Sequence, residues 1–277
     1  MSMQTRRFLI PTVVIMVPCV LGIVGMIHGG IPVGIWAQNP IFIVVFALVA
    51  CVVMKLGARV PARAVVTASA LLIGLTFLEP DIDGVHRWLR LPGFTLNAAA
   101  VVLPACVVAL TRLAGERRTA WCACGIAAIA LLLYMQPDAS QLLAFALSML
   151  VLLIATDIHR SLKWSASGIL ALLTLLSWLR PDSLVPVSYT EEILTLLRDQ
   201  SILLYMAGIL SLLLVPAGMM MWGIRERRKA WTGVGLYYAL MILSTFFGSF
   251  PVPFMGCGAS PILGYFIVIW LLYTERQ

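Results

Sequence analysis

Ten apolar runs, separated by short segments that hold nearly all the charge, constrain this chain more than any other feature. They lie near residues 8–27, 40–54, 64–78, 97–110, 120–135, 142–158, 164–179, 202–222, 231–247 and 261–273. A helix needs about 20 mostly apolar residues to cross a hydrocarbon core. The shorter runs therefore borrow a few flanking residues at each end. Lipid offers no partners to backbone N–H and C=O groups, so segments of this kind must close their hydrogen bonds within themselves, as helices do. The pattern predicts an all-α integral membrane protein of about ten transmembrane helices. With 277 residues there is no room left for a sizeable soluble domain, and residues 1–277 form one polytopic membrane domain. Charged residues make up only 11% of the chain and the mean hydropathy is +1.00, where a soluble domain carries roughly a quarter charged residues.

The loops provide an independent check on the spans. Arg6, Arg7, Lys55, Arg59, Arg63, Arg112, Arg117, Arg118, Arg160, Lys163, Arg225, Arg227, Arg228, Lys229 and Arg276 all fall on one side, fifteen of the nineteen Lys and Arg residues. Only Arg87, Arg90, Arg180 and Arg198 fall on the other. The positive-inside rule assigns the first side to the cytoplasm, and an even span count then puts both termini there. This placement directs the net charge of +7 toward anionic lipid rather than nucleic acid. Eight of the twelve acidic residues lie on the opposite, exported side, together with His86, Trp88, Gln136, Tyr189 and Thr190. Any chemistry is expected on that face.

Four exported segments carry a family resemblance. Gly84-Val85-His86-Arg87-Trp88-Leu89 is similar to Gly-x-x-Arg-Trp-[Ile/Leu] of the SEDS family (RodA/FtsW-like peptidoglycan glycosyltransferases). Gln136-Pro137-Asp138 matches its Gln-Pro-Asp. Val185-Pro186-Val187-Ser188-Tyr189-Thr190-Glu191 resembles its Leu-Pro-Glu-x-His-Thr-Asp. Pro253-Phe254-Met255-Gly256-Cys257-Gly258-Ala259-Ser260 resembles its Pro-Phe-[Ile/Val]-Ser-Tyr-Gly-Gly-Ser. The four occur in the family's order, from about residue 78 to the C-terminus. The first two spans match in topology only. The family's Gln-Pro-Ser-Glu reads Asn97-Ala98-Ala99-Ala100 here, and its long outer loop shrinks to residues 179–188.

The resemblance implies a SEDS-like fold in a bacterial cytoplasmic membrane. It implies polymerisation of lipid II, an undecaprenyl-pyrophosphate-linked precursor, for cell shape or division. It further implies a class B penicillin-binding protein as partner. A divalent cation, Mg or Mn, is consistent with the family, although the sequence marks no cluster of metal ligands. Glu191 stands where the family has its catalytic Asp. Arg87, Trp88, Asp138, Thr190, Arg198 and Ser260 are the candidate substrate contacts.

Transfer to a sugar hydroxyl needs a base for the hydroxyl proton, positive charge for the leaving pyrophosphate and a cavity that positions both substrates. Glu191 is the candidate base and Arg87 the candidate cation, because guanidinium matches phosphate oxygens bidentately. Each has a structural alternative. Ser188-x-x-Glu191 is a capping box, and Arg87 with Trp88 makes an interfacial anchor. Asp138, after Pro137 at a helix start, is expected to be an N-cap. Ser260 can cap the last span. A helix over residues 189–200 would put Glu191, Thr195 and Arg198 on one face. Two other functions remain open: a non-catalytic scaffold that binds and activates a penicillin-binding protein, and a flippase for the lipid-linked precursor. No charge falls at the centre of a span, where transporters place ionisable groups.

Overall fold

The protein is described here by a computed structural model, which covers residues 3–156, 160–180 and 183–274. Side chains 3–8 and 162 are outside the description, as are Asp182, His159 and Arg276. The chain is a bundle of helices. In order they are α1 (Met3–His28), the single turn α2 (Val33–Trp36), α3 (Gln38–Lys55) and α4 (Ala62–Leu75), which a 3-10 turn (Thr76–Leu78) prolongs. After a β-hairpin come α5 (Ala98–Gly115), α6 (Thr119–Met135), α7 (Ala139–Ile154) and α8 (Arg160–Trp178). The short α9 (Ile193–Gln200) leads to α10 (Ile202–Arg225), α11 (Lys229–Ser244) and α12 (Ala259–Thr274). Each of the ten apolar runs falls on one of these helices, with residues 157 and 158 of the sixth run lying outside the described residues.

The hairpin is the departure from an all-helical chain. Strands β1 (Trp88–Leu91) and β2 (Phe94–Asn97) pair antiparallel, with Trp88 opposite Asn97 and Leu91 opposite Phe94. Pro92-Gly93 makes the turn, and Gly93 takes a φ of +87° that a side chain would oppose. Asn97 then ends the hairpin and begins α5, its side chain accepting the Ala100 amide at 3.0 Å.

Helix α5 is the centre of the bundle. From Ala98 to Leu110 every residue is buried. A helix apolar on all sides can be stable only when surrounded, and α4, α6, α7, α11 and α12 pack around it. Its alanines let neighbours approach to backbone distance. Gly264 of α12 lies so close to the Ala100 carbonyl oxygen that a Cβ there would collide with it.

The outside is as apolar as the inside. Ile41, Leu48 and Val52 of α3, Leu172 and Leu175 of α8, and Leu203, Leu210 and Met221 of α10 are all exposed. An exterior of this kind marks a membrane-associated protein. Four segments, Leu9–His28, Val33–Lys55, Ala98–Gly115 and Ile202–Arg225, are long and apolar enough to cross a membrane.

Contacts between helix ends show that the basic loops gather at one end of the bundle. The Arg63 guanidinium, at the start of α4, lies 5.4 Å from the Trp121 ring centroid, at the start of α6. Arg112, late in α5, donates to the Leu271 carbonyl, late in α12, at 2.7 Å. Lys163, at the start of α8, and Lys229, at the start of α11, both donate to carbonyls at the end of α7. Two turns at this end share a sequence, Glu116-Arg117-Arg118 and Glu226-Arg227-Arg228. They also share a shape: Arg117 and Arg227 have φ of +57° and +52°.

Candidate functional site

The opposite end of the bundle holds a cavity of about 330 Å³. Its wall is made by the four sequence segments singled out above, which are far apart in the chain. Arg87, just before β1, and Trp88 come from the hairpin region, Asp138 from the start of α7, residues in 184–191 from the segment before α9, and residues in 249–261 from the α11–α12 loop and the first turn of α12. Thr95 and Asn97 of β2, Ala100 of α5, and Tyr237, Tyr238 and Met241 of α11 complete it.

Asp138 caps α7 as expected, its Oδ1 accepting the Gln141 amide at 3.2 Å and the Ser140 hydroxyl at 3.1 Å. Its other oxygen lies 3.7 Å from Arg87 Nε, and the two side chains are only 3% and 5% exposed. Arg87 also donates to the Pro137 carbonyl. A charge so deeply buried is tolerated because an opposite charge and hydrogen bonds surround it. Among the described residues, Arg87 is the one lysine or arginine that lines the cavity. Gln141 accepts a hydrogen bond from the Tyr237 hydroxyl, extending this polar group across to α11.

Thr190 and Glu191 lie on the wall, but not on a helix. The Val187 carbonyl gathers the amides of Thr190, Glu191 and Glu192 at 3.0, 3.0 and 3.3 Å. This tight turn holds the chain until α9 begins at Ile193, two residues past Glu191. The Glu191 carboxylate reaches back to accept the Val187 amide at 2.9 Å. It thus resembles a capping box displaced one residue toward the N-terminus, and closes a turn rather than a helix. The expected helix over residues 189–200 is corrected accordingly, and Glu191 shares no helical face with Thr195 and Arg198. Arg198 is not on the cavity wall. Its side chain is 58% exposed and its Nε lies 3.8 Å from Asp199, because the buried face of α9 is Ile193, Leu194 and Leu197.

Ser260 lies in the first turn of α12 and lines the cavity, but its hydroxyl accepts the Asn97 amide at 2.8 Å. It ties α12 to the start of α5 instead of capping its own helix. Trp88 opens β1 and is half-buried on the wall.

The α11–α12 loop is built against the Thr190 turn. Val252 N–H donates to the Thr190 carbonyl at 3.2 Å, and Cys257 N–H to the Tyr189 carbonyl at 2.9 Å. Gly256 makes this approach feasible, since a Cβ there would run into the Thr190 carbonyl oxygen. Phe254 adopts a φ of +67°, held by packing of its ring on Tyr238 and Tyr265. Burial pushes the Cys257 thiol up from its ordinary pKa, and the thiol donates to the Ile35 carbonyl at 3.4 Å. A protonated, hydrogen-bonded thiol is a poor nucleophile.

The residues missed by sequence reasoning are Asn39, Gln141 and Tyr237. Asn39 is fully buried and bonds to both Gly256 and Gly258. A polar residue at the edge of an apolar run was the available signal for Asn39 and Gln141, whereas Tyr237 lies inside the run 231–247. As for a metal, the cavity offers two carboxylates, and Asp138 is committed to Arg87 and to the α7 cap. Among the described residues no group of three or more His, Cys, Asp or Glu side chains comes together to hold an ion.

No family model matches this chain, and no curated protein does.

Proposed function

We propose that this protein is a SEDS-like membrane glycosyltransferase that polymerises lipid II on the outer face of a bacterial cytoplasmic membrane. In this reading ten helices span the bilayer, both termini are cytoplasmic, and the cavity opens on the exported side. The observation that supports it is the convergence of four motif segments, distant in sequence, on one cavity that carries a carboxylate and a guanidinium. Pockets of about 300–1,000 Å³ serve small ligands, so about 330 Å³ takes the sugar and phosphate end of a lipid-linked precursor while its chain stays in the bilayer.

The geometry supports the following division of labour. Glu191, on a turn at the wall, takes the proton of the acceptor hydroxyl. Its bond to the Val187 amide orients the carboxylate and leaves a carboxylate lone pair for that proton. Arg87 faces the leaving pyrophosphate, and Asp138 fixes the guanidinium's orientation. A class B penicillin-binding protein cross-links the product, in cell shape or division.

One observation favours a second reading. The Glu191 carboxylate already serves its own turn, which is what a purely structural glutamate does, and a non-catalytic scaffold for a penicillin-binding protein would retain it. Labelled lipid II incubated with wild-type protein and Glu191→Gln decides between them. The amide still accepts the Val187 N–H but is no base. Glycan ladders from wild type that vanish in the variant support the enzyme. Absence of ladders from wild type, even with the cognate penicillin-binding protein present, supports the scaffold.

A further inference from the structure

Irregular backbone buried inside a protein is tolerated where its N–H and C=O groups find partners there. The α11–α12 loop packs in this way, and on one side Gly256 and Gly258 are partnered by a single side chain. Asn39, in the first turn of α3, is fully buried. Its Nδ2 donates to the Gly256 carbonyl at 2.9 Å, and its Oδ1 accepts the Gly258 amide at 3.0 Å. A carboxamide presents donor and acceptor in one plane, as a peptide group does, so Asn39 pairs with the loop as a neighbouring strand would. On the loop's other side, Cys257 N–H donates to the Tyr189 carbonyl at 2.9 Å, and the Thr190 hydroxyl donates to the Cys257 carbonyl at 3.4 Å. Residues 256–258 are therefore bridged between Asn39 and the turn that ends in Glu191. Burying an amide in an otherwise apolar helix is costly, and these two bonds are what offset it.

We propose that Asn39 is a positioning residue: through Gly256–Gly258 it fixes the turn of Tyr189, Thr190 and Glu191, and so the placement of the carboxylate on the cavity wall. The consequence for catalysis rests on Glu191 being the base. The positioning itself does not.

Asn39→Asp separates the two. A protonated aspartic acid is nearly isosteric with asparagine: its hydroxyl donates to the Gly256 carbonyl and its carbonyl accepts the Gly258 amide. The ionised form has no donor and sets negative charge against the Gly256 oxygen. Burial raises the pKa of such a carboxyl, which brings the change into an accessible pH range. The full-length variant and wild type are compared in lipid nanodiscs by amide hydrogen exchange, corrected for intrinsic rates. Near pH 6 (roughly), segments 187–192 and 252–260 of the variant should exchange as in wild type. Near pH 8.5 (roughly) they should exchange about tenfold faster, while α5 stays unchanged. Wild type should show no such dependence. Lipid II polymerisation is followed in parallel, and kcat of the variant should fall over the same pH interval with KM within about twofold.

Exchange that ignores pH overturns the positioning role, whatever the activity does. Exchange that responds while wild type makes no glycan supports Asn39 and removes Glu191 as a base. If the aspartate variant does not accumulate, Asn39→Ser is measured in the same way. Faster exchange in both segments supports the proposal, and unchanged exchange overturns it.

Discussion

The Arg87 guanidinium lies 3.7 Å from the Asp138 carboxylate, and both side chains are almost wholly buried. One comes from the hairpin region before α5 and the other caps α7, so the pair joins two walls of the cavity. Removing one partner of a buried pair costs about 3–5 kcal/mol, because the other charge is left in a poor solvent. Arg87→Met should therefore lower the unfolding temperature in detergent steeply. Adding Asp138→Asn to it, which keeps an acceptor for the Gln141 amide, should lower it by less than the sum of the single changes. Strict additivity would show that the two charges are not coupled.

Gly256 and Gly258 lie two residues apart in one loop but should respond very differently to the same substitution. A Cβ on Gly256 collides with the Thr190 carbonyl oxygen, whereas one on Gly258 meets nothing within 4 Å. Gly256→Ala should cost about 1–3 kcal/mol, the usual penalty for forcing atoms into a packed site. Gly258→Ala should stay within about 0.5 kcal/mol, as open-site changes do. Thermal unfolding of the two variants beside wild type measures both, and equal losses would contradict the close packing of loop and turn.

The long helices were legible because their outward and buried faces are both apolar, so hydropathy alone locates each of them to within a few residues. The Asn97 boundary is an instance: the apolar run starts there, and Asn97 caps α5. The convergence of Arg87, Asp138, Glu191 and Ser260 was legible only through motif resemblance, since nothing local in the sequence brings them together. Asn39 was illegible for the same reason, its partner Gly256 lying 217 residues away. The start of α9 was misplaced because Ser188-x-x-Glu191 carries a true capping signal. The Val187 carbonyl takes the three amides that would have begun the helix. The hairpin lies in the connection over residues 79–96, where Pro92-Gly93 alone signals its turn.

Cys257 should react slowly with maleimides, with a distinctive pH dependence. Burial raises its thiol pKa, so at any given pH less thiolate is present than for an ordinary cysteine of pKa about 8.5. The thiolate is the reactive form, and its fraction grows about tenfold per pH unit below the pKa. In a variant that keeps Cys257 alone of the six cysteines, the labelling rate should climb from about pH 7 to about pH 9 with no plateau. The same protein, denatured, should reach half its maximal rate near pH 8.5 (roughly). The same half-maximal pH in the folded protein would mean that the thiol is not shielded by the loop.

The clustering of basic helix ends opposite the cavity gives the proposed topology a direct test. Glu116 and Glu226 lie exposed in the two Glu-Arg-Arg turns, and Asp81 and Ser183 lie exposed near the cavity end. Single cysteines placed at each position in a cysteine-free chain can be probed in intact cells with a membrane-impermeant maleimide. Positive-inside orientation predicts that Asp81→Cys and Ser183→Cys label at once, while Glu116→Cys and Glu226→Cys label only after the membrane is opened. The reverse pattern would turn the molecule over and put the cavity in the cytoplasm, where lipid II polymerisation on the exported face cannot occur. Labelling of one site from each pair would break the span count between them, because helices α5 and α10 would then no longer separate the two ends.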